Sequence, residues 1–154
     1  MSMSRKAQMS RVQLALNVSN LEEAITFYSK LFGAEPAKVR EGYANFAIVD
    51  PPLKLVLIEG GQGGSINHLG VEVETTAAVA AATQRLADEG LGTESEQETT
   101  CCFAVQDKVW VRGPDHERWE VYTVLGDAES FSGNESCCAA EMTTEPLAVK
   151  SSCC

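Results

Sequence analysis

One pattern of alternation, repeated after 55 residues, constrains the fold of this chain more than any other feature in it. Val12, Leu14, Leu16 and Val18 fall on one face of an extended run, and Gln13, Ala15 and Asn17 fall on the other. That is the period-two signature of a strand with one greasy face. Ser19-Asn20-Leu21-Glu22 then reads as a capping box, and Leu21, Ile25, Tyr28 and Phe32 form a helical stripe closed by Gly33. Three extended runs follow, Ala37 to Arg40, Tyr43 to Val49 and Leu53 to Glu59, parted by Glu41-Gly42 and Asp50-Pro51-Pro52. After the flexible stretch Gly60-Gly61-Gln62-Gly63-Gly64 the order begins again. His68 to Val73 alternates like the first strand, and Thr75 or Thr76 can cap a helix reaching Glu89 and closed by Gly90. Gly92 to Gln97, Phe103 to Val111 and Arg118 to Val124 supply the remaining extended segments. Superposing Val18 on Val73 also superposes Gln13 on His68. The expectation is an α+β protein of two tandem β-α-β-β-β modules, at about residues 10–60 and 65–127.

Composition sets the surroundings of that fold. A length of 154 residues, 44% of them hydrophobic, suffices for one core and a tail. Residues 1–9, ahead of or including a second possible start at Met9, read as a disordered extension. Residues 128–154 are rich in Ser, Glu, Ala and Thr without sustained periodicity, and read as a flexible, disordered tail. A net charge of −10 argues against nucleic acid or an anionic membrane as partner. There is no apolar run of about 18 residues to span a bilayer and no apolar core to a signal peptide, so a cytoplasmic protein with reduced thiols is expected.

All six cysteines stand in adjacent doublets, Cys101-Cys102, Cys137-Cys138 and Cys153-Cys154, where random placement gives about 0.2 such neighbours. Neighbouring Cα atoms are about 3.8 Å apart, so a disulfide within a doublet would be strained. Structural zinc sites space their cysteines more widely. Two adjacent thiolates are suited to gripping one soft centre, such as a trivalent arsenical, cadmium or copper(I). Within a regular strand the two thiols would face opposite ways, so the polar Glu98-Thr99-Thr100 before Cys101-Cys102 points to a loop. Two small buried hydrophobes are the plainer reading of this doublet.

Tandem modules of this kind resemble the vicinal oxygen chelate superfamily, which includes glyoxalase I, extradiol dioxygenases and bleomycin-resistance proteins. Residues 99–111, from Thr99-Thr100-Cys101-Cys102-Phe103-Ala104 to Trp110-Val111, followed by Trp119-Glu120-Val121-Tyr122, are similar to its carbon–arsenic lyase branch. So are Ser10-Arg11-Val12-Gln13-Leu14-Ala15-Leu16-Asn17-Val18 and Gly42-Tyr43-Ala44-Asn45-Phe46-Ala47. The resemblance implies a cavity between paired modules and a divalent metal held by the first strand of each module and the last strand of the second. Those positions are Gln13, His68 and Glu120. An amide oxygen, an imidazole and a carboxylate approach the facial triad of non-heme Fe(II) oxygenases, with positions left open for dioxygen and substrate. Glyoxalase I adds an acid from the last strand of its first module; here that strand offers none before Glu59.

The resemblance thus implies an Fe(II)-dependent dioxygenase that cleaves the carbon–arsenic bond of a trivalent organoarsenical, with Gln13, His68 and Glu120 as metal-binding and catalytic residues. Cys101 and Cys102 would bind the arsenical, and Lys108 would favour their thiolates. Trp110 and Trp119 are expected as core or cavity wall, His116 as solvated, and Asn67 as facing away from His68 on its strand. A monomer or homodimer is expected. The alternative is a non-catalytic protein of the same fold that sequesters cadmium, arsenite or a drug.

Overall fold

Both expected β-α-β-β-β runs form in the computed structural model, which describes residues 10–131. The remaining residues, 1–9 and 132–154, and with them Cys137, Cys138, Cys153 and Cys154, lie outside the described residues. The first module comprises β1 (Arg11–Val18), α1 (Leu21–Phe32), β2 (Lys38–Arg40), β3 (Tyr43–Ile48) and β4 (Leu53–Glu59). The second comprises β5 (Ile66–Glu72), α2 (Thr76–Asp88), β6 (Thr93–Cys101), β7 (Ala104–Arg112) and β8 (Arg118–Asp127). Among the described residues no helix is long and apolar enough to cross a membrane.

Local chemistry places the helix ends within a residue or so of expectation. The cap of α1 is Asn20 and not Ser19: Asn20 takes the extended backbone a cap needs, and its side chain accepts from the Glu23 N–H at 3.0 Å. Gly33 closes the helix in the left-handed region at φ 61°. Thr75 caps α2. The larger departure is β6, which runs on past Gln97 to Cys101, so that Glu98-Thr99-Thr100 is strand and not loop. An edge strand has one solvated side and tolerates polar residues, and a register shift between Glu96 and Thr99, with Glu98 at φ 47°, absorbs the mismatch with β7.

The eight strands form one sheet in the order β2-β3-β4-β1-β5-β8-β7-β6. At its centre the first strands of the two modules pair antiparallel, β1 with β5, within the same chain. Each is flanked by the last strand of its own module in parallel, β4 beside β1 and β8 beside β5. One side of the sheet is greasy and covered by helices: Leu14, Leu16 and Val18 join Ala44, Phe46, Leu55 and Leu57 under α1, while Val79 and Leu86 of α2 pack with Val109, Val111 and Val121. Alternation therefore turns Gln13, Ala15, His68, Gly70 and Glu120 to the opposite, inner side.

Removing a fully buried core ring should cost far more than removing an exposed one. Phe46 is 0% exposed and Phe27 is 58% exposed. Phe46→Ala is expected to destabilise by about 3–5 kcal/mol, and Phe27→Ala by less than about 0.5 kcal/mol. Urea unfolding of both variants checks this.

Candidate functional site

In register, Gln13 of β1 faces Gly70 of β5, and Gly70 faces Glu120 of β8. Gly70 has no side chain to fill the row, so Gln13 and Glu120 meet across it. A Cβ there would lie 3.0 Å from Glu120 Cγ and 3.4 Å from Gln13 Nε2. His68 enters from two residues earlier on β5, above the small Ala15. The three buried side chains converge: the Gln13 amide nitrogen lies 3.1 Å from His68 Nε2 and donates to Glu120 Oε1 at 2.8 Å, and His68 Nε2 lies 3.4 Å from Glu120 Oε1.

That triangle has the size of one face of an octahedral metal site. Donors about 2.0–2.2 Å from a cation and at right angles to each other stand about 3 Å apart. The amide presents its nitrogen to the other two groups. Turned over, it would present its oxygen, and a cation at the centre would then be favoured by three donors and one negative charge. Among the described residues no three His, Cys, Asp or Glu side chains form such a cluster, so a divalent ion at this triangle would need the neutral amide of Gln13. His116 is exposed, in the turn before β8.

A second row of charges holds this face in place. Burial alone would push the Glu120 carboxyl up, but the Lys108 ammonium 2.8 Å away outweighs it and holds the group well below the usual carboxylate range. Tyr122, two residues beyond Glu120 and on the same face, is kept protonated by burial and by the charges of Glu72 and Glu120. Its hydroxyl touches both Gln13 Oε1, as donor, and Glu72 Oε2 at 3.0 Å. With one proton to place, the phenol can donate to Gln13 or, by turning it to Glu72, accept from the reversed amide. It serves either orientation. Glu72 in turn pairs with Arg11 at 3.1 Å and Lys54 at 3.3 Å. Lys54 is the β4 residue in register with Gln13, so a cation stands in the row where an additional acidic ligand would have to be. Glu59 is engaged elsewhere, accepting from the Leu21 N–H at the start of α1.

The cysteine doublet sits at the tip of the β6–β7 hairpin. Cys101 ends β6, and Cys102 and Phe103 form a two-residue turn with φ 51° and 60°. Both central residues are left-handed, as in a turn that usually carries Asn-Gly, and each non-glycine residue there costs about 1 kcal/mol or more. The tip is anchored from both modules: the Phe103 carbonyl accepts from Lys38 Nζ at 3.0 Å and from the Ala128 N–H at 2.9 Å. Cys102 packs on an inner-face cluster of Ala15, Tyr43, Val56, Ile58 and Phe103, and Ala15 is the register partner of His68. Buried Cys101 packs with Cys102 and Phe131, and is in the disulfide-bonded state. The turn breaks the strand alternation, so the two residues share a cluster although Cys101 belongs to a strand. Trp110 forms a wall, its ring edge-to-face with His68 at 5.5 Å.

Sequence reasoning missed four contributors. Tyr122 was within its reach, being two residues from Glu120 on one strand. Lys54 and Glu72 depend on register between strands. Asn67, expected to face away, instead has its Oδ1 2.7 Å from His68 Nδ1. Ala15 pairs with His68 and Leu16 with Ile66, so Asn67 is a bulge residue, freed from alternation.

Two substitutions probe this arrangement. Gly70→Ala should cost about 1–3 kcal/mol through overpacking and separate Gln13 from Glu120, read as lost divalent-metal affinity. Lys108→Met strands a buried carboxylate and should destabilise the metal-free protein by about 3–5 kcal/mol, a loss that thermal unfolding should show partly restored when a divalent cation is added.

Residues 10–121 match the family model of the glyoxalase/bleomycin resistance protein/dioxygenase superfamily. The cadmium-induced protein CadI of Mycobacterium tuberculosis is 69% identical over 124 residues, covering 80% of this chain and 82% of its own. A trivalent organoarsenical cleaving enzyme from Thermomonospora curvata is 57% identical over 151 residues, covering 95% of this chain and 100% of its own. Among solved structures, homoprotocatechuate 2,3-dioxygenase from Arthrobacter globiformis has the same fold, with a TM-score of 0.59 at 20% identity over 82% of this chain and 39% of that one. From the family match and the two sequence relatives together, this chain belongs to the glyoxalase/bleomycin resistance protein/dioxygenase superfamily, in the branch that contains the organoarsenical-cleaving enzymes.

Proposed function

We propose that this protein is a cytoplasmic Fe(II)-dependent dioxygenase that cleaves the carbon–arsenic bond of trivalent organoarsenicals. The observation that carries the proposal is the facial triangle of Gln13, His68 and Glu120 on the same sheet face as the Cys102 cluster. Gln13, His68 and Glu120 would hold Fe(II), whose contribution is the activation of dioxygen beside the substrate. Cys101 and Cys102, reduced, exchange their two thiol protons and the two hydroxides of methylarsenite for two arsenic–sulfur bonds and two waters. The methyl group is the one substituent of arsenic that cannot exchange, so the tether leaves it as the group presented to the metal. Lys108 keeps Glu120 ionised, and Tyr122 follows the Gln13 amide in either orientation.

The overall balance needs no external reductant. Methylarsenite, CH3As(OH)2, and O2 give arsenite, As(OH)3, and formaldehyde: the carbon supplies all four electrons that dioxygen takes up, and arsenic remains trivalent. Relatives named as trivalent organoarsenical cleaving enzymes support this reading at 57% and 41% identity along nearly the whole chain. A second reading, prompted by the cysteine doublets, is a thiol-based cadmium or arsenite binder without turnover; the relatives at 69% identity are named as cadmium-induced.

One assay separates them. Reduced protein loaded anaerobically with Fe(II) and methylarsenite should, on admission of air, consume oxygen and release arsenite and formaldehyde in equal amounts; a binder returns the arsenical unchanged. Glu120→Ala should lose turnover by about 100-fold or more while retaining the arsenical, and Cys102→Ala should lose both. Turnover surviving in Cys102→Ala would refute the tether.

A further inference from the structure

The polarity of a hydrogen-bond chain outside the metal triangle determines which nitrogen of His68 is free to ligate. It starts at a group that can only accept, the Gln62 backbone carbonyl in the link between the modules. Ser65 Oγ donates its single proton to that carbonyl at 2.5 Å. Towards Asn17, at 2.9 Å, the same oxygen can then only accept, so the Asn17 atom facing it is Nδ2. Asn17 therefore turns Oδ1 to Asn67, which must answer with Nδ2, at 3.0 Å. That leaves Asn67 Oδ1 facing His68 Nδ1 at 2.7 Å. An amide oxygen only accepts, so Nδ1 carries the proton. Nε2, the nitrogen aimed at Gln13 and Glu120, is left with its lone pair exposed. The bulge in β5 makes this possible, because regular alternation would have turned Asn67 to the helix side.

We propose that Asn67 is a positioning residue that fixes His68 as the Nδ1–H tautomer, and that the module link sets its orientation through Ser65 and Asn17. The tautomer follows from the chain's own hydrogen bonds. Its consequence for metal affinity rests on the reading of Gln13, His68 and Glu120 as a divalent site. Partners of this kind, which hold the far nitrogen of a ligating imidazole, are typically worth about 10- to 100-fold in metal affinity.

The chain contains two histidines, so long-range imidazole 15N spectra of the whole protein resolve the question, with His116→Gln assigning the other ring. At mildly alkaline pH, His68 should read as Nδ1–H in the unsubstituted protein. Asn67→Ala should yield a tautomer mixture, and Asn67→Asp, which restores an acceptor, should recover Nδ1–H. Co(II) alone, measured by equilibrium dialysis, should bind about 10- to 100-fold more weakly to Asn67→Ala, with recovery in Asn67→Asp. Ser65→Ala touches no atom of His68, yet frees the Asn17 amide to turn and should partly lose the preference; it also serves if Asn67→Ala does not fold. An Nε2–H tautomer in the unsubstituted protein, or Nδ1–H undiminished in both Asn67→Ala and Ser65→Ala, would overturn the proposal. If the unsubstituted protein binds no Co(II), the metal reading fails on its own, while the spectra still decide the role of Asn67.

Discussion

The antiparallel seam between β1 and β5 is the constraint on which the rest of this structure depends. It brings the equivalent strands of two modules side by side and leaves the last strand of each on the outer flanks. Gln13 and Glu120 are then two strands apart, too far to touch across an ordinary residue. Gly70 between them closes the gap. A side chain missing at one position thus creates a contact between residues 107 apart in sequence. Two buried apolar clusters lie under the helices on the opposite face, and a third, of Ala15, Tyr43, Val56, Ile58 and Phe103, shares this face with the functional groups.

A face that buries Gln13, His68, Lys108 and Glu120 is tolerable only if its charges and protons are matched. The match is layered. Lys108 answers Glu120, Arg11 and Lys54 answer Glu72, and Tyr122 stands between the two groups. Lys54 stands in the row beside Gln13, which puts a cation where another carboxylate would make a more anionic cage.

How much of this was legible depended on whether the signal was local. The strand of Val12 to Val18, the stripe of Leu21 to Phe32 and the glycine stops at Gly33 and Gly90 depend on neighbours within a turn or two, and they form nearly as read. The offset carrying Gln13 onto His68 is long-range, but a repeat made it visible. Register is different. That Lys54 lies beside Gln13, that β6 extends to Cys101 and that Asn67 is displaced into a bulge are properties of strand pairs, which single-strand alternation does not encode. The hairpin tip shows the same limit: Cys102 and Phe103 are poor residues for a left-handed turn by local preference, and their conformation is imposed by the Lys38 and Ala128 contacts on either side.

The duplicated architecture has a thermodynamic side as well. Gln13 is furnished by one half of the molecule and His68 with Glu120 by the other, so an ion gripped by all three is a clasp over the join. Neither half alone presents the complete donor set, and prying the halves apart would mean surrendering the ion. At a free-ion concentration about a thousand times its dissociation constant, such a clasp adds about 4 kcal/mol to the folded state. The supply of such an ion would then govern the durability of the protein.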